Sequence, residues 1–82
     1  MKPVIIHPPA RKVLRKMPVN TARRILDKID AYAADPASQA NNVTALVGRE
    51  GIRLRVGDWR VIMLDGAVLD VLQVSPRGGV YE

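Results

Sequence analysis

Three arginines in the second half of the chain have the spacing of a single anion-binding surface. Arg53 and Arg55 lie in an apolar run, and Arg60 follows the turn pair Gly57-Asp58. Two such runs joined by a two-residue turn predict a β-hairpin in which Arg55 faces Arg60. Because side chains alternate between the faces of a strand, all three arginines share one face. Guanidinium groups suit phosphate, so this face predicts a site for a phosphate-bearing ligand.

Like charges directly opposite each other destabilise a sheet, and a bound anion would offset that cost. The alternative is a solvated polar face whose charge is neutralised by Asp58 or Asp70. The other face of the same hairpin is apolar and is assigned to the core; it carries Ile52, Leu54, Val56, Trp59, Val61 and Met63. Trp59 is therefore interpreted as a core anchor and not as a platform for base stacking.

The composition excludes several kinds of active site. The chain contains no cysteine, which excludes disulfides, thiolate catalysis and zinc sites built on sulfur. It contains only one histidine, His7, which is too few for a histidine-rich metal centre. Thirteen Lys and Arg, nine of them arginine, stand against eight Asp and Glu, which gives a formal net charge of +5. Such a basic balance is typical of nucleic-acid binding, although it suits an acidic protein partner equally well.

The length of 82 residues predicts a single domain over residues 1–82, because two separate cores would not fit in so short a chain. No segment approaches the roughly 20 apolar residues that a membrane span needs. We therefore expect a soluble cytoplasmic protein that makes no membrane contact.

Two helices and four strands are predicted to position the arginines. Residues 3–6 suit a short strand, and Pro8-Pro9 suit the first turn of a helix. Pro18 separates two stretches of apolar residues at helical spacing, which comprise Ala10, Val13, Leu14 and Met17, and then Ala22, Ile25, Leu26, Ile29, Tyr32 and Ala33. Asp35-Pro36 ends the second helix, and residues 37–42 are polar and loop-like. Residues 52–56, 59–64 and 68–74 follow as antiparallel strands, so we predict an α+β fold with two helices on one sheet face.

The turn after the second of these three strands allows two registers. A two-residue type I′ turn at Asp65-Gly66 would place Asp70 on the apolar face, beside Val61. A three-residue loop with a bulge would instead place Asp70 and Leu72 on the arginine face. The second version is preferred because it avoids a buried carboxylate without a partner.

Several segments of the chain resemble the RelE/ParE superfamily of type II toxin–antitoxin toxins. Residues 53–62 (RLRVGDWRVI) resemble the central hairpin of RelE-type members, with tryptophan at the usual tyrosine position. Residues 10–18 are similar to the first helix of the family, which commonly ends in Leu-Pro. Asp35-Pro36, residues 46–48 and residues 74–81 match the second-helix exit, the approach to the hairpin and the last strand. The chain is identified as closest to the RelE-type mRNA interferases.

The resemblance implies a β-α-α-β-β-β RelE-like microbial ribonuclease fold and an RNA-cleaving site without metal ion or cofactor. RelE-type toxins act at the ribosome, where a ribose 2′-hydroxyl of the mRNA attacks the neighbouring phosphate. The residues that match catalytic positions are Arg53, Arg60, Arg77 and Tyr81. Guanidinium groups stabilise charge that develops on the phosphate, and Tyr81 is the candidate for proton transfer, because arginine is too basic to exchange protons readily.

Further RNA contacts are predicted at Arg55 and on the first helix, at Arg11, Lys12, Arg15 and Lys16. The implied partners are a cognate antitoxin, in a hetero-oligomeric toxin–antitoxin complex, and the ribosome with its mRNA. The sequence departs from the family pattern at Gly51, where the best-known members carry a basic residue, and at Ser75-Pro76, which replaces the usual lead into the last motif.

Two alternative functions remain open at this point. ParE-type members share the scaffold but poison DNA gyrase and do not cut RNA, and the fold alone does not distinguish them. The match at Arg53, Arg60, Arg77 and Tyr81 favours RNA cleavage. The second alternative is a degenerate toxin that serves mainly to bind its antitoxin, since acidic antitoxin segments that fold on binding suit a net charge of +5 equally well.

Overall fold

Two α-helices pack against one face of a five-stranded sheet. The elements of the computed structural model, which describes residues 1–76, are β1 (Val4–Ile6), α1 (Pro8–Lys16), α2 (Val19–Ala34), a 3₁₀ helix (Pro36–Asn42), β2 (Val43–Ala45), β3 (Ile52–Val56), β4 (Trp59–Asp65) and β5 (Leu69–Pro76). The strand order is β1-β5-β4-β3-β2. The predicted α+β class is confirmed. None of the helices within residues 1–76 is long and apolar enough to cross a membrane.

Prolines delimit both α-helices, as the sequence predicts. Pro8 and Pro9 occupy the first positions of α1, where a missing backbone N–H leaves no hydrogen bond unmade. Pro18 is the N-cap of α2. The second helix ends at Ala34, one residue before the Asp35-Pro36 pair, because the residue before a proline disfavours the helical region.

The core lies between the helices and the sheet. Ile25 and Ile29 of α2 are fully buried, and Leu26, which belongs to the same predicted stripe, is 37% exposed at its margin. The buried sheet residues that meet the helices are Leu54, Val56, Val61, Met63, Leu69, Val71 and Val74. Truncating one of the buried isoleucines to alanine would cost about 2–5 kcal/mol, because the rigid surroundings would keep part of the cavity.

The sequence reading was wrong about the segment that joins α2 to β3. Residues 37–42 are not a loop but belong to the 3₁₀ helix, in which the N–H and the hydroxyl of Ser38 both donate to the carbonyl of Asp35, at 3.0 and 2.7 Å. The unpredicted strand β2 follows and pairs with residues 52–54 of β3. A strand of three residues is too short to leave a periodic signal, so only its pairing with β3 reveals it.

The edge strand β1 adds a second correction. It pairs with β5 in parallel, with Ile5 opposite Asp70. The predicted pairs β3–β4 and β4–β5 are antiparallel, as expected, and so is the unpredicted pair β2–β3. After β1, helix α1 packs over β5, and the chain returns to β5 only after passing through α2 and strands β2 to β4. Two parallel strands need a long crossover connection between them. The sequence pattern does not reveal which strand pairs with β1.

The two hairpins have different turns. The predicted two-residue turn joins β3 to β4, and its signs of φ, +59° at Gly57 and negative at Asp58, agree with type II′. The second turn is a three-residue loop, because Asp65 pairs with Leu69, and the two-residue type I′ alternative is wrong. Asp70 then lies opposite Leu64, on the face away from the helices. The predicted three-residue loop and the placement of Asp70 are thus confirmed. The bulge lies within β5 at Leu72, so Gln73 and not Leu72 pairs with Ile62.

Candidate nucleic-acid interface

The three hairpin arginines lie together on the sheet face that points away from the helices. Arg55 is directly opposite Arg60, and Arg53 is opposite Ile62, so strand alternation places all three on one side. Together we call them the arginine cluster. They line a cavity of about 190 Å³ with three neutral polar side chains, those of Asn41, Asn42 and Thr44.

A second cavity, of about 480 Å³, adjoins the first at the edge of the sheet. It is lined by Arg24, Lys28, Asn42, Arg55, Val56, Gly57, Trp59 and Arg60. It lies beside an open edge, because β2 pairs with β3 only as far as Leu54 and leaves Arg55 and Val56 without a neighbour on that side. Three residues, Asn42, Arg55 and Arg60, line both cavities. We call the two cavities together the cationic cleft.

Helix α2 brings two further cations to this cleft. Arg24 and Lys28 are four residues apart and exposed, so they lie one above the other on the helix surface. The guanidinium of Arg24 lies against the β3–β4 turn, where a Cβ on Gly57 would come within 3.0 Å of it. Glycine at position 57 satisfies the positive φ of the turn, and the flexible end of the Arg24 side chain lies close beside it.

Trp59 contributes to both the core and the cleft. Its side chain is half-buried and packs against the core cluster, as predicted, and it also forms part of the wall of the larger cavity. A tryptophan in this position offers an aromatic surface beside the cations Arg24, Arg55 and Arg60.

The other predicted RNA contacts, on α1, are not brought into the cleft. Arg11, Lys12, Arg15 and Lys16 line neither of its two cavities, because α1 packs over β5, away from the β3–β4 turn. Arg11 donates to the carbonyl of Ile6 at 3.1 Å. Arg77 and Tyr81, predicted as catalytic, lie outside the described residues.

The carboxylates proposed to neutralise the arginine cluster do not do so within residues 1–76. Asp70 contacts His7, whose Nε2 lies 2.9 Å from Oδ1, and Asp58 makes no ion pair in this range. Across the same residues, no group of three or more His, Cys, Asp or Glu side chains is arranged to hold a metal ion. The side chains that residues 1–76 contribute to the cleft are therefore cations, neutral polar groups and the apolar side chains of Val56 and Trp59.

The opposite end of β4 carries a paired network. The hydroxyl of Tyr32 donates to Oδ2 of Asp65 at 2.6 Å, and the ammonium of Lys2 donates to Oδ1 of Asp65 and, at 2.7 Å, to the carbonyl of Gly66. Burial, followed by the interaction with the carboxylate, raises the pKa of Tyr32 to about 12. The hydrogen bonds from Lys2 and then Tyr32 lower the pKa of Asp65 below its ordinary value.

Residues 4–81 match the family described as the ParE toxin of the type II toxin–antitoxin system parDE. The chain belongs to this toxin family. The predicted membership of the RelE/ParE superfamily is thereby confirmed. No curated protein sequence gives a significant match.

Two solved structures share the fold of this ParE-family toxin. A chain of the archaeal RelE-RelB complex from Pyrococcus horikoshii OT3 is 28% identical, with a TM-score of 0.75, and the match covers 94% of this chain and 96% of that one. A chain of the toxin–antitoxin complex RelBE2 from Mycobacterium tuberculosis is 23% identical, with a TM-score of 0.62 and coverages of 93% and 98%, and it supports the fold alone.

The toxin differs from the best-known RelE-type members at Gly51 for a local reason. Gly51 has φ +124°, a value that favours glycine, and a Cβ there would lie 3.0 Å from the carbonyl oxygen of Met63. A basic residue at this position would strain the backbone at the start of β3. The cations of the cleft therefore come from other positions, including Arg24 and Lys28, which sequence reasoning missed.

Proposed function

We propose that this toxin is an mRNA endonuclease that acts with the ribosome and blocks translation when its antitoxin is absent. The observation that carries the proposal is that the guanidinium groups of Arg53, Arg55 and Arg60 line one cavity together with the neutral polar side chains of Asn41, Asn42 and Thr44. A surface of this kind matches the charge of an RNA backbone. The 28% identity over nearly the full length of an archaeal RelE-RelB complex chain adds support.

In the proposed reaction, the ribose 2′-hydroxyl attacks the adjacent phosphorus, and the bond to the 5′-oxygen of the next nucleotide breaks. Negative charge develops on the non-bridging oxygens as the new bond forms. Arg53 and Arg60 donate to these oxygens and stabilise that charge, which fixed donors do without reorganising. Arg77 completes the cationic set. Tyr81 accepts the proton that the 2′-hydroxyl loses and returns it to the 5′-oxygen that leaves, because arginine is too basic for this exchange. The products are a 2′,3′-cyclic phosphate and a free 5′-hydroxyl, so the step leaves no net change in protons.

The proposed protein partner is a cognate antitoxin that forms a hetero-oligomeric complex with the toxin. The archaeal relative, which is 28% identical, was solved as a RelE-RelB complex. The formal net charge of +5 suits an acidic antitoxin segment that folds as it binds. In this arrangement the antitoxin keeps the toxin away from the ribosome.

The test is induced expression without antitoxin, followed by primer extension on cellular mRNA. Wild type is compared with Arg60→Ala and Tyr81→Phe, and Arg23→Ala serves as a matched control because Arg23 is exposed and lines neither cavity of the cleft. We expect codon-periodic cuts for wild type and Arg23→Ala and their loss in the other two variants. Undiminished cutting by Arg60→Ala at equal protein level would refute the assignment.

A second candidate function is inhibition of DNA gyrase, and the match to the ParE family model favours it. The same expression experiment distinguishes the two functions. Growth arrest with intact mRNA, filamentation and DNA damage would indicate gyrase as the target, and purified gyrase would then lose supercoiling activity when the toxin is added. Absence of both toxicity and cleavage would leave an antitoxin-binding module.

A further inference from the structure

We propose that Arg24 and Lys28 form a second subsite for the RNA backbone. This subsite binds a phosphate that neighbours, on the same RNA strand, the phosphate bound at the arginine cluster. The inference rests on RNA being the ligand of the cluster, as proposed above. It adds a part of the molecule, helix α2, that neither the sequence pattern nor the family resemblance assigns to the binding surface.

The first support is continuity between the two cavities. Asn42, Arg55 and Arg60 line both, so the two cavities share a wall and an extended ligand bound at the arginine cluster lies next to the second cavity. The route passes the edge of β3 that β2 leaves uncovered. A linear polymer can follow this route from the sheet face to the flank of α2.

The second support is the charge of the larger cavity. Four of its lining side chains are cations, two from the cluster and two from α2, and none of its described lining residues is acidic. The two ion pairs within residues 1–76 join Lys2 to Asp65 and His7 to Asp70, so neither Arg24 nor Lys28 has a carboxylate partner in this range. Cations held close together in this way predict an anionic ligand.

The third support is the aromatic wall, which favours RNA over an acidic peptide. The half-buried ring of Trp59 lines the same cavity as Arg24 and Lys28, and the amide of Asn42 lies at its junction with the smaller cavity. Surfaces that bind single strands combine cations for the backbone with aromatic rings for the bases. A carboxylate-rich peptide would use the cations and leave the ring without a matching group.

The test measures binding of the purified full-length toxin to a fluorescent, unstructured RNA of 12 nucleotides. All riboses carry 2′-O-methyl groups, so the strand binds but lacks the attacking hydroxyl. Arg24→Gln and Lys28→Gln are compared with Arg23→Gln, which removes the same charge from the same helix outside the cleft. Thermal melting verifies that each variant is folded, which we expect because these side chains are exposed.

We expect Arg24→Gln and Lys28→Gln each to bind about 5- to 10-fold more weakly at low salt, and Arg23→Gln to bind like wild type. Removal of either cation should reduce the magnitude of the slope of log affinity against log salt concentration by about 0.7, the value for one phosphate contact on a single strand. Arg24→Lys, which keeps the charge, should keep the slope. A pattern of this kind establishes the subsite whether or not the toxin cuts mRNA in cells.

Three outcomes would overturn the inference. Arg24→Gln and Lys28→Gln could match Arg23→Gln in affinity and salt slope, or wild type could fail to bind the strand. In the third outcome, the variants bind RNA normally but lose affinity for a polyglutamate peptide, which would make the cavity a protein-binding site. The primer-extension experiment reports on cleavage separately, so failure of the subsite and failure of the endonuclease assignment are distinguishable.

Discussion

The two ends of β4 differ in the charges of the side chains that meet there. At the C-terminal end, Asp65 accepts hydrogen bonds from both Tyr32 and Lys2, so opposite charges and a buried hydroxyl satisfy one another. At the N-terminal end, Arg60 lies opposite Arg55, and cations from α2 join them around the cleft. One strand thus connects a self-satisfied network with a collection of like charges.

The difference teaches where stability and binding reside in this toxin. A network that satisfies its own polar groups contributes to folding, because breaking it leaves a buried donor or acceptor without a partner. Like charges that face each other, as those of Arg55 and Arg60 do, cost folding energy, and a bound anion would offset that cost. We therefore expect substitutions near Asp65 to change stability and substitutions near Arg60 to change activity.

Arg53→Ala tests the activity side of this contrast and should have the largest effect. Loss of one fixed cation that stabilises the transition state should reduce mRNA cleavage by about 10²- to 10³-fold. The variant should remain folded, with a positive free energy of unfolding under the conditions of the cleavage measurement. Quantitative primer extension and urea unfolding measure the two quantities, and a large loss of stability with cleavage retained would reverse our assignment of this end of the sheet.

Asp65→Ala tests the stability side. It leaves the largely buried hydroxyl of Tyr32 and the ammonium of Lys2 without their acceptor, which should lower the free energy of unfolding by about 1–3 kcal/mol. Folded Asp65→Ala should still cut mRNA. The matched control is Asp27→Ala on the exposed face of α2, which makes no ion pair within residues 1–76 and should unfold like wild type.

The lowered pKa of Asp65 predicts how the free energy of unfolding depends on pH in the acidic range. The pKa of Asp65 is lowered in the folded state, so its contribution is present above the ordinary value of 3.8 and is lost as the pH falls through the lowered pKa. Urea unfolding between about pH 5 and pH 2, the range in which carboxylates titrate, measures this loss. The free energy of unfolding should fall less over this range for Asp65→Ala than for wild type. Equal declines would contradict a role for this ion pair in folding.

Tyr32→Phe should lower the free energy of unfolding by a smaller amount, and this difference from wild type should depend on pH in the alkaline range. Removing the hydroxyl should cost about 0.5–1.5 kcal/mol at neutral pH, the net value of one hydrogen bond. The pKa of Tyr32 is raised from 10.0 to about 12 in the folded state, so its contribution is complete below pH 10 and disappears as the pH rises through about 12. The stability difference between wild type and Tyr32→Phe should shrink across this window, and a constant difference would disprove the linkage.

Arg55→Gln should have the smallest effect and the opposite sign. It removes the like-charge pair with Arg60 and should raise the free energy of unfolding by about 0.2–1 kcal/mol. Urea unfolding at low and high salt measures this gain, which should decrease as salt screens the repulsion. Arg23→Gln is the matched control and should show no gain, whereas a loss of stability in Arg55→Gln would indicate that this arginine contributes to folding.

Local signals account for the parts of the fold that were predicted correctly. Prolines 8, 18 and 36 set the helix boundaries, because proline lacks an N–H and restricts the residue before it. The pair Gly57-Asp58 specified the turn and hence the register that places Arg55 opposite Arg60. The apolar alternation on the other face then determined which side carries the arginine cluster. All of these signals lie within a few residues of what they specify.

Only the tertiary structure decided how distant segments meet. The three-residue β2 exists because β3 offers it a partner, and the cationic cleft extends to Arg24 and Lys28 because α2 packs beside the β3–β4 turn. Nothing in the spacing of Arg24 and Lys28 distinguishes them from Arg23, which lies on the same helix outside the cleft. A helix sequence specifies which of its faces is apolar, but which strand lies beside its polar side depends on how the whole core packs.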